Sequence, residues 1–181
     1  MNIQTTKLDG CYILSPKVFE DNRGYFFESY HKKTFDDLLK EEVQFIQDNQ
    51  ALSDYGTIRG LHFQNPPYSQ AKLVRVVQGS VLDVVVDLRT NSATYLNSFS
   101  IILSSKNMLQ LYVPKGFAHG YAVLENRTIF QYKCDAYYHP EAESGIHPLD
   151  PFLAIDWQIP ESERIISEKD LRLPFLKTNI H

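Results

Sequence analysis

Two stretches of the 181-residue chain gather side chains that move protons or hold negative charge inside otherwise strand-like patterns. TIRGLHFQNPPYSQAKLVRV (57–76) carries Arg59, His62, Gln64, Gln70 and Lys72, and VPKGFAHGYAVL (113–124) carries Lys115 and His119. An imidazole, with an ordinary pKa of about 6.5, exchanges protons near neutral pH, whereas guanidinium and ammonium groups hold anions or developing negative charge. A lone histidine in a strand more often packs or faces solvent. Two histidines converging with Lys72 and Arg59 point instead to a site.

Pro114-x-Gly116-x-x-His119 resembles the second half-motif of the cupin superfamily, whose barrels often bind a metal. The first half-motif usually supplies His-x-His with a downstream Glu, but here the pair is His62-x-Gln64. Two imidazoles without a carboxylate make a poor ligand set for a first-row ion, so no metal is expected. Cys11 and Cys134 make neither a disulfide framework nor a zinc signature and are expected to be buried structural thiols.

The elements that must position these residues are mostly strands. AKLVRVVQGSVLDVVVDL (71–88) alternates apolar and polar residues, breaks at Gln78-Gly79 and resumes, the pattern of a hairpin or a tight corner. NSFSIILS, MLQLYVP, GFAHGYAVL and RTIFQYKC follow at short, regular intervals. HKKTFDDLLKEE (31–42) is the clearest helix, with Phe35, Leu38 and Leu39 on one stripe. After Pro140 the prolines 148, 151, 160 and 174 predict loops and short turns. The fold class expected is all-β, a sandwich or barrel such as a double-sheet jelly roll, with a short helix and an irregular C-terminal tail.

Length and composition set the outer bounds. At 181 residues, 43% hydrophobic, the chain is long enough for a sizeable core and is expected to form one domain over 1–181. A net charge of -4 and a pI near 5.8 argue against a nucleic-acid partner. Neither a signal-like N-terminal run nor a membrane-length apolar stretch occurs in the sequence, so a soluble, cytoplasmic protein is expected. The aromatic excess, 11 Tyr and 11 Phe beside one Trp, suits both strand packing and stacking surfaces.

Taken in order, the blocks FEDNRGYFFESY, FIQDNQ, RGLHFQ, QAKLVRVVQGSVLDVVVDLR, VPKGFAHGY, YKCDAYYHPEAESGI and SEKD resemble the dTDP-4-dehydrorhamnose 3,5-epimerase family from about Val18 to Asp170. The resemblance implies a cofactor-independent, cupin-like jelly-roll barrel, usually a homodimer. Its substrate would be a deoxythymidine diphosphate 4-keto-6-deoxysugar, inverted at C3 and C5 to dTDP-4-dehydro-L-rhamnose. It further implies His62 as base, Asp170 as its carboxylate partner, Tyr132 as acid on the opposite face, and Lys72 with His119 near the enolate oxygen. Arg23 and Arg59 would contact the diphosphate and Tyr138 would stack on thymine. Phe19, Phe26 and Glu28 would reach a neighbouring subunit's nucleotide, while Gln47, Asn49, Glu143 and Lys169 would surround nucleotide and sugar.

Two departures from the family pattern stand out. Ala51 occupies a position where serine is common, and His147-Pro148 stand where Arg and Trp are common. Neither removes a proton-transfer residue, but both leave room for altered substrate choice, including inversion at one carbon only. The alternatives are such a mono-epimerase in another deoxysugar pathway, a non-catalytic barrel that binds a nucleotide sugar, and a metal-dependent cupin oxygenase, which the His-x-Gln pair disfavours.

Overall fold

The computed structural model describes residues 1–176. In chain order, β1 (Asn2–Thr5) and β2 (Tyr12–Ser15) precede a small separate hairpin of β3 (Phe19–Asp21) and β4 (Gly24–Phe26). Helix α1 (Lys32–Leu39) follows, and then β5 (Gln47–Ser53), β6 (Thr57–Gln64), β7 (Lys72–Gln78) and β8 (Ser80–Asp87). β9 (Ser98–Ser104), β10 (Gln110–Val113), β11 (Phe117–Val123) and β12 (Thr128–Cys134) complete the main strands. The tail adds β13 (Glu143–Gly145), β14 (Ile165–Ile166) and α2 (Glu168–Leu171).

One sheet runs β1-β2-β10-β7-β12-β5 and the other β13-β6-β11-β8-β9, with β14 lying parallel to β6. Val74, Val76, Leu111 and Phe130 of the first sheet share one buried cluster with Val81, Val85, Phe117 and Val123 of the second. This packing makes the expected cupin-like jelly roll. The break at Gln78-Gly79 is a corner and not a hairpin, because β7 and β8 belong to different sheets. Gly79 turns it at φ +80°, where an added Cβ would stand 2.2 Å from Thr128 Oγ1.

Every residue of β8 is buried, since both of its faces are covered. Val81 and Val85 point into the barrel, while Leu82, Val84 and Val86 pack outward against Trp157 and Ile159. The tail is therefore more than a wrapping of loops. It supplies a second core layer, in which the fully buried Trp157 donates from Nε1 to the Pro148 carbonyl at 2.7 Å. Filling that layer with a tryptophan is worth roughly 3–5 kcal/mol relative to alanine.

On the opposite flank α1 covers the first sheet, with Phe35 buried edge-on against Tyr112. The helix is shorter than the 31–42 expected. His31 caps its start, and Lys40 at φ 55° ends it. Asp36 then accepts a hydrogen bond from Val43 N at 3.2 Å and turns the chain away. Both cysteines are buried and free, Cys11 in the barrel core and Cys134 at the inner surface. No helix among the described residues is long and apolar enough to cross a membrane.

Candidate active site

Strand alternation sends every second side chain to the same face, so Arg59 and His62, three apart on β6, should face opposite ways. They do not. β11 pairs His119 with His62 but Tyr121 with Arg59, a register shift that spends one extra residue of β6 and returns both side chains to the interior. Gly60 makes this bulge possible at φ +116°, where a Cβ would lie 2.6 Å from Gly120 Cα and 2.7 Å from His119 O.

The bulge also binds the tail. Asp170 on α2 accepts from Gly60 N through Oδ2 at 3.2 Å, while its Oδ1 lies 2.7 Å from His62 Nε2. Burial opposes charge on this carboxyl, but the His62 contact, the Gly60 amide and Ser167 together hold it below the usual carboxylate range. An ionised Asp170 takes its hydrogen bond from an Nε2–H, which leaves the imidazole lone pair on Nδ1.

Lys72 and Tyr132 reach the same cleft from adjacent strands. Both sit on inward positions of β7 and β12, and the Lys72 ammonium is 5.8 Å from the Tyr132 ring centre. Burial lowers the Lys72 ammonium below an ordinary lysine, with Cys134, Asp83 and Glu143 partly opposing the shift. Burial raises the Tyr132 phenol, which therefore keeps its proton at neutral pH.

His119 is buried, and its Nε2 lies 2.9 and 3.1 Å from the two carboxylate oxygens of Asp83. The cleft thus has two imidazole–carboxylate pairs. Asp83 was not among the residues expected at the site, although an aspartate sharing strand parity with Val81 and Val85 is a legible signal of an inward carboxylate.

His62, Lys72 and Tyr132 line two joined lobes of about 310 and 540 Å³. Gln47, Asn49, Tyr138 and Glu143 border the smaller lobe. Glu143 accepts from Tyr138 Oη at 2.6 Å and from Lys169 Nζ at 2.7 Å, and these two donors hold it below the usual range despite burial. Gln47 accepts from Tyr138 N at 3.2 Å and donates to Asn49 Oδ1 at 3.1 Å. The larger lobe contains Arg59, His119, Ala51, Asp170 and Lys169. Arg59 donates from Nε and an Nη to Ser53 Oγ at 3.2 and 3.1 Å, so a hydroxyl stands beside the guanidinium although residue 51 has none.

Four expected residues do not join this cleft within one chain. Phe19, Arg23 and Phe26 lie on the β3–β4 hairpin and line a separate groove, with Arg23 exposed and paired to Asp21 at 2.6 Å. Glu28 borders another small pocket beside Phe19 and His31. His147 is also outside the cleft. It stacks on Phe175 at 4.4 Å, so that departure from the family pattern alters how the tail packs and not what lines the site.

Gln64, the residue that breaks the metal motif, has other work. Its Nε2 donates to Tyr68 O at 2.7 Å and Tyr137 O at 3.2 Å, while its Oε1 accepts from His139 N at 2.6 Å. With each cleft histidine held by its own aspartate, no cluster of three or more His, Cys, Asp or Glu side chains is placed to hold a metal among the described residues.

Fold and site together define a cupin-like barrel enzyme in which two imidazole–carboxylate pairs, an ammonium and a buried phenol share one cleft. Residues 5–178 match the family model described as dTDP-4-dehydrorhamnose 3,5-epimerase. The chain belongs to this family of isomerases acting on carbohydrate derivatives. It is 46% identical to the dTDP-4-dehydrorhamnose 3,5-epimerase of Escherichia coli K12 over 96% of this chain and 93% of that protein. The crystal structure of the enzyme of that name from Elizabethkingia anophelis superposes with a TM-score of 0.95 at 48% identity, covering 100% and 99% of the two chains. The Legionella pneumophila dTDP-6-deoxy-D-glucose-3,5-epimerase, solved in complex with dTDP-4-keto-L-rhamnose, gives 0.92 at 45% identity over 96% and 92%.

Proposed function

We propose that this chain inverts C3 and C5 of dTDP-4-dehydro-6-deoxy-D-glucose to give dTDP-4-dehydro-L-rhamnose, with no cofactor. The observation that carries the reading is the His62–Asp170 pair sharing a cleft with the Tyr132 phenol and the Lys72 ammonium. Both carbons are α to the C4 ketone, so each can lose a proton to form an enolate. His62 Nδ1 takes the proton, and Asp170 stabilises the imidazolium that results. Lys72, with His119 nearby, offsets the charge developing on the C4 oxygen. Tyr132 Oη returns a proton from the opposite face, and the configuration inverts.

The diphosphate falls to Arg59 and to Arg23, with Tyr138 against the thymine. Arg23, Phe19, Phe26 and Glu28 lie off the cleft of their own chain, so they act in the site of a second copy, and the working form is a homodimer. The exposed rings of Phe19 and Phe26 on the β3–β4 hairpin support that reading. The whole chain serves as one epimerase domain, in the cytoplasm where nucleotide sugars are made.

The deciding experiment incubates the protein with dTDP-4-dehydro-6-deoxy-D-glucose in deuterated water. Deuterium at both C3 and C5 of an L-rhamno product is expected. Label at one carbon alone would make it a mono-epimerase, and no exchange at all would overturn the enzyme assignment.

A further inference from the structure

We propose that Asp150, a buried carboxylate outside the cleft, is a positioning residue that sets where Asp170 stands against His62. The proposal rests on the roles given to that pair above. Helix α2 has four residues and cannot hold a side chain in place by itself. Upstream it is tethered by β14, which pairs with β6 and whose Ile165 N bonds to Gly56 O at 2.9 Å. Downstream, Leu173 fills the space over Gly145, His147 N bonds to Pro174 O at 2.9 Å, and Leu176 N bonds to Asp150 Oδ2 at 2.7 Å.

Asp150 is 2% exposed. Its Oδ1 accepts from Phe152 N at 2.9 Å and Leu153 N at 3.1 Å, closing its own turn, and its Oδ2 accepts from Leu176 N. A serine or asparagine could close the turn alone. A carboxylate closes the turn with one oxygen and holds a segment 26 residues away with the other, through charge-assisted bonds stronger than neutral ones.

The same turn is fixed to the strand that carries His62. Gly145 pairs with His62, and Ile146 exchanges backbone hydrogen bonds with Leu61 at 2.9 and 3.2 Å. The contacts form a closed ring, from His62 along β13 to Asp150, across to Leu176, back through α2 to Asp170 and so to His62. Both members of the pair are thereby referenced to one turn.

The test compares Asp150→Asn, Asp170→Asn and the double variant by kcat/KM against pH on dTDP-4-dehydro-6-deoxy-D-glucose. His62 is faced by Asp170 and Lys169 from α2, Glu143 from β13, Lys72 from β7, Tyr132 from β12 and His119 from β11. Asp150→Asn leaves Glu143, Lys72, Tyr132 and His119 in place and shifts α2 alone, and Asp170 with it. Its kcat is expected to fall about 10–100-fold with KM little changed. The acidic limb should move to lower pH, because an imidazolium with a misplaced partner gives up its proton more readily. In the Asp170→Asn background, Asp150→Asn should cost no further factor.

Multiplying losses, or a pH profile unmoved by Asp150→Asn while Asp170→Asn shifts it, would overturn the proposal. An unmoved profile in Asp170→Asn would overturn the roles of the pair themselves. Should Asp150→Asn fail to fold, Leu176→Pro removes the donor, along with a side chain packed on the second core layer, and leaves the bonds within the Asp150 turn intact, and the same shift in smaller measure is expected.

Discussion

Arg59 and His62 stand three residues apart on one strand and face the same cleft, because a bulge at Gly60 absorbs one residue between them. The guanidinium and the imidazole therefore share a backbone irregularity that also donates to Asp170. Gly60→Ala places a methyl against Gly120 Cα and forces a side chain to φ +116°. A loss of about 3–4 kcal/mol is expected from strain and displacement together. Chemical denaturation measures it, and a stability equal to the parent's would mean that the bulge tolerates a Cβ.

If His62 is the one base for both carbons, as proposed, His62→Ala should abolish solvent deuterium exchange at both C3 and C5. Asp170→Asn keeps the shape of the pair but removes the charge that selects the tautomer, and exchange should slow on the order of 10²–10⁴-fold. Proton NMR of the sugar follows both carbons in one experiment. Exchange that persists at one carbon in His62→Ala would require a second base.

Tyr132→Phe separates proton removal from proton return. With the phenol gone, His62 still abstracts a proton and gives it back on the same face. Label should therefore enter without inversion, and net epimerisation should fall on the order of 10²–10³-fold. Full epimerisation by this variant would remove Tyr132 from the role of acid.

Lys72 is kept in the cleft against a cost in stability. Its folded pKa is lowered by burial, so between that value and the ordinary lysine pKa the unfolded chain binds the extra proton. Stability then rises with pH across this window, and the cost of the buried charge is fully present below it. Lys72→Met should accordingly melt higher than the parent at neutral pH, by a margin that shrinks in alkali, while activity falls on the order of 10²–10³-fold. Differential scanning fluorimetry across pH gives the first result and kcat/KM on dTDP-4-dehydro-6-deoxy-D-glucose the second. A variant both unstable and inactive would mean that Lys72 is a structural ion.

The strands, the short helix and three of the polar cleft residues were legible in the sequence because they rest on local pattern. His62, Lys72 and His119 are polar residues interrupting apolar alternation, and that contrast survives folding. Asp170 and Tyr132 came only through the family resemblance, since no local pattern in SEKD tells a capping carboxylate from one that reaches His62, 108 residues away. The bulge at Gly60 and the corner at Gly79 are tertiary choices: glycine permits them, but the facing strand decides them. The tail is as irregular as its prolines predict, but the core layer it supplies was hidden for a related reason. Its prolines do break long elements, yet Trp157 and Ile159 between them still bury a sheet face.

Gln64 has an implication for how such barrels can change over time. The shortest route from this sequence toward a metal-coordinating His-x-His pair is the single replacement Gln64→His. That step would forfeit an amide which fastens Tyr68, Tyr137 and His139 at once, and an imidazole cannot span the three backbone groups. The loops framing the smaller lobe would come loose before a metal gained its third ligand. In this chain the replacement would thus trade the anchorage of two loops for a single ring nitrogen, and the loops would need another tie before that nitrogen could serve.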